Sequence, residues 1–242
     1  MAAALSFHEL DQTATIEWHV EDGGDLKPGI RVCDIRAKAR AVLSAERVAL
    51  NFLQRLSGVA TRTRAFVRAV EGTGVTILDT RKTTPGLRLL EKLAVRAGGG
   101  TNHRYGLFDE VLIKENHVTV TGSIAETVAR VRKAKTELPI VVEARTEEEA
   151  EEAAGLHVDR ILLDNFTPEG VAGVVARLRR LGGALAKKPA IEVSGGIRLE
   201  NVRTFALPGV SFISVGALTH SAPALDLSLL LDSVGKEAVA RA

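Results

Sequence analysis

The sequence predicts an α/β barrel preceded by a smaller N-terminal unit that contains β structure. Three observations predict it. From Thr76 onward, short β-branched runs alternate with helical stretches; those runs are nearly continuous in apolar residues; and each ends in a residue able to do chemistry. Regular alternation of strand and helix builds a parallel sheet with covering helices. Strands buried on both faces require unbroken apolar runs. An open doubly wound sheet meets these two conditions as well as a closed barrel does. The third observation separates them, because a (β/α) barrel projects its chemical groups from the C-terminal ends of its strands.

The strand runs are Thr76–Asp79, Glu110–Lys114, Ile140–Glu143, Arg160–Asp164, Ala190–Ser194 and Ser211–Gly216. Helical patterns lie between them, from Leu87 to Ala97, Ile124 to Thr136, Thr146 to Ala154, Pro168 to Leu181 and Leu199 to Phe205. Thr167-Pro168-Glu169 is a strong helix start, with a capping hydroxyl, Pro at the first helical position and early negative charge. Ahead of the barrel, Thr15–Val20 and Arg31–Ile35 flank the turn-rich stretch Glu21–Gly29, which reads as antiparallel β structure. A helical stretch from Ala45 to Val70 follows. Its apolar face is drawn from Val48, Leu50, Phe52, Leu53, Leu56 and Val59, and Ser57-Gly58 is expected to break it in two. The division is 1–70 for a partial N-terminal α+β domain with linking helices, 71–225 for the barrel and 226–242 for a C-terminal helix.

With 242 residues and 45% hydrophobic content, the chain can bury one full-sized core. Lys and Arg number 32 against 30 Asp and Glu, a near-neutral balance that gives no support to nucleic-acid binding as the main task. One cysteine, Cys33, excludes an intrachain disulfide and a cysteine-rich metal site. No apolar run approaches the roughly 20 residues of a membrane span. The opening MAAALSFHELDQ lacks the basic and apolar regions of a secretory signal. A soluble, cytoplasmic protein is expected.

The strand ends bring polar groups to one mouth: Arg81 and Lys82, Lys114, Glu143, Asp164 with Asn165, Ser194-Gly195-Gly196 and Gly216. Strands that merely reach the surface explain one or two such positions, not six in a row. Gly195, Gly196 and Gly216 follow the last two strands, where barrels commonly bind phosphate through backbone N–H groups. A tight turn needs the same glycines. Gly98-Gly99-Gly100 closes a helix and releases a loop carrying His103 and Arg104. Arginine forks suit carboxylates. Glu143 and Asp164 are hard oxygen donors appropriate to Mg²⁺. The ensemble suits a small polyanion with a bound divalent metal.

Several segments resemble the quinolinate phosphoribosyltransferase family. They are Leu78-Asp79-Thr80-Arg81-Lys82-Thr83-Thr84-Pro85-Gly86, Gly98 to Arg104, Leu112-Ile113-Lys114-Glu115-Asn116-His117, Leu162-Leu163-Asp164-Asn165, Glu192-Val193-Ser194-Gly195-Gly196-Ile197 and Ser214 to His220, with Glu46-Arg47-Val48-Ala49-Leu50-Asn51-Phe52-Leu53 in the helical stretch. The resemblance runs in order from about residue 14 to 232. It implies an incomplete, seven-stranded α/β barrel with a small N-terminal α+β domain, truncated here because family members carry further residues ahead of this chain's start. It implies reaction of quinolinate with phosphoribosyl pyrophosphate, using Mg²⁺, to give nicotinate mononucleotide, pyrophosphate and carbon dioxide in NAD biosynthesis. It also implies a homodimer, or a hexamer of dimers, with shared sites.

Residue by residue, Arg81, Lys82, His103 and Arg104 match positions that bind the quinolinate carboxylates. Arg47 matches an arginine supplied by the neighbouring subunit. Lys114 matches a lysine near the reacting centre. Glu143 and Asp164 match the acidic pair that holds ribose hydroxyls and metal, so Lys114, Glu143 and Asp164 form the expected catalytic set. Ser194, Gly195, Gly196 and Gly216 match the loops around the 5′-phosphate. Two rival readings are a related phosphoribosyltransferase of the molybdenum-transport-associated type and a catalytically silent ligand-binding homologue.

Overall fold

The computed structural model describes residues 2–134, 137–181, 188–234 and 237–241. In chain order its elements are α1 (Ala2–His8), β1 (Thr15–Trp18), β2 (Cys33–Arg36), α2 (Ala39–Ala69), β3 (Thr76–Leu78), α3 (Arg88–Ala97), β4 (Val111–Ile113), α4 (Glu115–Thr121), α5 (Ile124–Lys133), β5 (Ile140–Ala144), α6 (Glu147–Gly155), β6 (Arg160–Asp164), α7 (Pro168–Leu181), β7 (Ala190–Ser194), α8 (Val202–Phe205), β8 (Phe212–Ser214), α9 (Ala217–His220), β9 (Leu230–Val234) and β10 (Glu237–Arg241). The expected helix end at Thr136 lies outside the described residues.

Six parallel strands pair in the order β3-β8-β7-β6-β5-β4. The seventh position is held by one residue. Thr101 bridges Leu78 in parallel, its N–H donating to the Ile77 carbonyl at 2.9 Å while its carbonyl accepts from the Asp79 N–H at 3.2 Å. The seven-stranded, incomplete barrel thus has six full strands and one bridge.

Strand side chains alternate between two faces, and here the two faces carry different residues. Ile113, Ile140, Val142, Ile161, Leu163, Ile191, Val193 and Ile213 pack outward in the main core, with helix residues such as Val128, Ala150, Val171 and Val174. Leu112, Val141 and Leu162 form a separate inner cluster. The inner phase continues to Lys114, Glu143, Asp164, Ser194 and Ser214, so two-residue spacing along each strand brings these groups to the same side.

The second sheet is antiparallel, in the order β1-β2-β10-β9. Its pairing corrects the expectation of a C-terminal helix over 226–242: Leu230–Val234 and Glu237–Arg241 are strands, and β10 adds to the edge of β2. Pairing of this edge satisfies backbone groups that β2 would otherwise leave open. The helical stretch is corrected too. α2 runs unbroken through Ser57-Gly58. Gly58 serves close approach instead, since a Cβ there would collide with the Pro223 carbonyl. Val48 is half exposed and Ala49 is buried in its stead. Val42, Ala45 and Ala49 join Phe7, Cys33 and Ile35 in the N-terminal core, whereas Val59 and Phe66 join the barrel core, so one helix ties the two together.

Candidate active site

A cavity of about 690 Å³ opens at the C-terminal ends of the barrel strands. Arg81, Lys82, His103, Arg104, Lys114, Glu143, Asp164, Ser194, Gly195 and Gly196 all line it. Gly216 stands just behind: a Cβ there would lie 3.1 Å from Lys82 Cδ and 3.2 Å from His220 Nε2. Arg47 is exposed on α2 and is not among the lining residues.

The cationic wall rests on a buried pair. Asp79 takes the outward phase of β3 and meets Lys92 of α3 at 2.5 Å, both side chains fully buried. Lys92 also donates to the His103 carbonyl at 2.8 Å, and the His103 N–H donates to Asp79 at 2.8 Å. Asn102 donates its amide to the other Asp79 oxygen at 2.7 Å. Burial raises the Asp79 pKa and lowers that of Lys92, each against the pull of its partner. This core fixes the root of the loop that carries His103 and Arg104. One step along, Glu91 is fully buried, accepts from the Thr84 N–H at 3.0 Å and pairs with Arg55 at 2.8 Å. It holds the loop after Arg81 and Lys82.

Arg104 is 8% exposed and donates from Nη1 to the Glu110 carbonyl at 3.2 Å. Burial lowers its pKa, and repulsion from Arg81 lowers it further. Two guanidinium groups that repel each other at a cavity wall are suited to an anion placed between them. The Arg104 N–H donates to His103 Nδ1 over 2.7 Å, which orients the ring toward the cavity wall.

The opposite wall is acidic. Glu143 is paired with Lys114. Asp164 accepts from the Asn165 side chain at 2.7 Å. Asn165 and Gly195 both have positive φ, at 59° and 91°, and a Cβ on Gly195 would collide with the Asn165 side chain. The backbone there is packed too closely for any other residue at Gly195.

Sequence reasoning left out several lining residues: Thr80, Arg88, Leu112, Leu162, Glu192 and Ser214. Strand phase would have found the last four, each two residues before a selected strand-end residue on the same face. Glu192 is fully buried, 3.3 Å from His103 Nε2 and 3.0 Å from Arg160 Nη1. Burial pushes its carboxyl up, but His103, Arg160 and Ser214 outweigh burial and hold it below the usual range. Arg88 gave no signal of this kind, because it sits on a helix instead of a strand.

The family model for the quinolinate phosphoribosyl transferase C-terminal domain matches residues 59–230, and that for the N-terminal domain matches residues 1–57. The chain belongs to the quinolinate phosphoribosyltransferase family. It is 46% identical over 224 residues to a probable nicotinate-nucleotide pyrophosphorylase [carboxylating] of Bacillus subtilis, covering 92% of this chain and 75% of that protein. It is 40% identical over 243 residues to quinolinate phosphoribosyltransferase [decarboxylating] 1b of Nicotiana tabacum, covering 96% and 69%. Among solved structures it superposes on the nicotinate-nucleotide pyrophosphorylase of Francisella tularensis with a TM-score of 0.87 and 40% identity, covering 93% and 78%. The two family models meet within α2, the helix that joins the two cores.

Proposed function

We propose that the chain carries out its family's reaction at this mouth, joining quinolinate to the phosphoribosyl group of phosphoribosyl pyrophosphate with loss of carbon dioxide. The observation that carries the placement is the division of one cavity into a cationic wall, an acidic wall and a Gly195-Gly196 turn. Arg81, Lys82, His103 and Arg104 hold the two quinolinate carboxylates and orient the ring nitrogen, which is the positioning part of catalysis. That nitrogen bonds to the anomeric carbon as the bond to pyrophosphate breaks. Glu143 and Asp164 stabilise the positive character that develops on the ribose. Loss of the 2-carboxylate then leaves its electron pair beside the cationic ring nitrogen, and a proton completes nicotinate mononucleotide. Lys114 holds Glu143 in place and offers an ammonium to the phosphoribosyl oxygens. Ser194, Gly195, Gly196 and Gly216 receive the 5′-phosphate.

Glu143 and Asp164 also fit Mg²⁺. Among the described residues no group of three or more His, Cys, Asp or Glu is placed to hold a metal. Two carboxylates that leave the remaining positions to water and substrate phosphate match the habit of this ion. When bound, it offsets charge on the departing pyrophosphate. Arg47, exposed on α2, serves the site of a second copy in a homodimer. No helix among the described residues is long and apolar enough to cross a membrane. We place the protein in the cytoplasm, in keeping with its single cysteine.

The purified chain, given quinolinate, phosphoribosyl pyrophosphate and Mg²⁺, should release nicotinate mononucleotide and equimolar carbon dioxide. Turnover of nicotinate in preference to quinolinate would overturn the proposal. Arg104→Ala should weaken quinolinate by about 2–3 kcal/mol, the scale of a charge-assisted contact. Phosphoribosyl pyrophosphate binding should stay within a fewfold. Calorimetry showing unchanged quinolinate affinity would remove Arg104 from the acceptor site. Asp164→Asn should depress turnover and leave quinolinate affinity nearly intact. Wild-type turnover by that variant at limiting Mg²⁺ would misplace the acidic pair.

A further inference from the structure

Arg88 lines the cavity, yet each of its three guanidinium nitrogens donates to protein. Nε donates to Thr83 Oγ1 at 3.1 Å, Nη1 to the Tyr105 carbonyl at 2.9 Å and Nη2 to the Arg81 carbonyl at 3.3 Å. One plane of donors therefore spans the two loops that present the acceptor cations. Arg81 is on the first loop, and Arg104 immediately precedes Tyr105 on the second. Arg88, Glu91 and Lys92 stand at i, i+3 and i+4 of α3 and share a face. Lys92 ties the roots of the two loops together through Asp79 and the His103 carbonyl. Glu91 holds Thr84. Arg88 ties the outer ends.

The geometry matters because Arg81 and Arg104 repel each other. Without a brace the two loops relax apart, and the distance between their guanidinium groups is lost. We propose that Arg88 is a positioning residue of the acceptor site: it sets the separation of Arg81 and Arg104, and so selects two neighbouring carboxylates over one. The inference rests on the quinolinate reading above. A guanidinium can reach three acceptors arranged around its plane; an ammonium is a point donor on a flexible stem and cannot. Arg88→Lys therefore keeps the charge and removes the brace. Thr83→Val removes one acceptor of Arg88, together with the Thr83 hydroxyl's own contact to the Arg81 carbonyl at 3.4 Å, and leaves Arg88 itself in place.

The test measures steady-state kinetics for the wild type, R88K and T83V, with nicotinate as a competitor and thermal unfolding as a check on folding. In R88K the KM for quinolinate should rise about tenfold, the scale of one charge-assisted hydrogen bond. The KM for phosphoribosyl pyrophosphate should stay within about twofold, well under the 1.4 kcal/mol that a factor of ten represents. T83V should move quinolinate the same way by about threefold, less than R88K because Arg88 keeps its contacts with the Tyr105 and Arg81 carbonyls. In both variants the preference for quinolinate over nicotinate should narrow, because only the dicarboxylate depends on the spacing. An unchanged quinolinate KM in R88K would overturn the inference. So would an equal rise for both substrates, or a preference for quinolinate as strong as in the wild type. Wild-type turnover of quinolinate tests the underlying reading; the ratio of variant to wild type tests the role of Arg88.

Discussion

Replacing Lys92 with Met is expected to destabilise the fold by about 3–5 kcal/mol, the scale of removing one partner from a buried ion pair. Lys92 and Asp79 are both fully buried and meet at 2.5 Å. The substitution leaves a carboxylate inside the protein with only Asn102 and the His103 N–H to satisfy it. It also frees the His103 carbonyl, and with it the root of the loop that presents Arg104. Urea unfolding should show a lower midpoint, and the variant should bind quinolinate more weakly even where it is folded. Adding Asp79→Asn should recover part of the loss, since the orphaned charge is then gone. A loss below about 1 kcal/mol would place the pair among interactions no stronger than a surface salt bridge.

How much of this could be read from the sequence depends on which physical rule governed each residue. Lys114, Glu143, Asp164 and Ser194 were legible because a strand places every second residue on one face and a barrel collects its strand ends. α7 was legible at its start: Thr167 Oγ1 accepts the Gly170 N–H at 3.2 Å, and Pro168 opens the helix. α4 was not. Val118-Thr119-Val120-Thr121 favours a strand by local propensity, but Gly122 closes a helix there with φ at 100°. Its start is fixed by the Lys114 N–H, which donates to His117 Nδ1 at 2.9 Å. A side chain satisfying backbone three residues away overrode the weak local preference.

The polar face of α3 was illegible for a different reason. Glu91 and Lys92 are residue types expected in solvent, and their burial follows from partners that lie far off in sequence: Arg55 for Glu91, Asp79 for Lys92. The seventh strand, implied by the resemblance, had no run of residues to place it, because it is a single bridge at Thr101, shorter than any pattern can register. The C-terminal strands depend on the free edge of β2, some two hundred positions earlier in the chain. No local pattern in 226–242 reports that edge. Contacts of this kind are fixed by tertiary structure, and on α3 the residues that make them also brace the acceptor loops.

Mixing two inactive chains should restore activity if the sites are shared. Arg47 is exposed on α2, whereas Arg104 stands at the cavity wall, 8% exposed. α2 is held by both cores, so Arg47 cannot swing to its own mouth without breaking the packing of Val42, Ala45 and Ala49. A closed two-fold dimer offers the remaining route, because its symmetry carries each helix to the other subunit and completes two equivalent sites at once. An Arg47→Ala chain and an Arg104→Ala chain are each expected to be nearly inactive as homodimers, since every site lacks one guanidinium. In the mixed dimer, one site takes Arg104 from the first chain and Arg47 from the second, and is whole; the other site lacks both. Equal mixing makes half the dimers mixed, so activity should recover to about a quarter of the wild-type value under two-fold pairing. The measurement is turnover before and after subunit exchange, with exchange followed by native mass spectrometry. Exchange without recovery would mean that Arg47 serves its own subunit or none. Recovery in proportion to the mixed dimer would assign Arg47 to the partner's site.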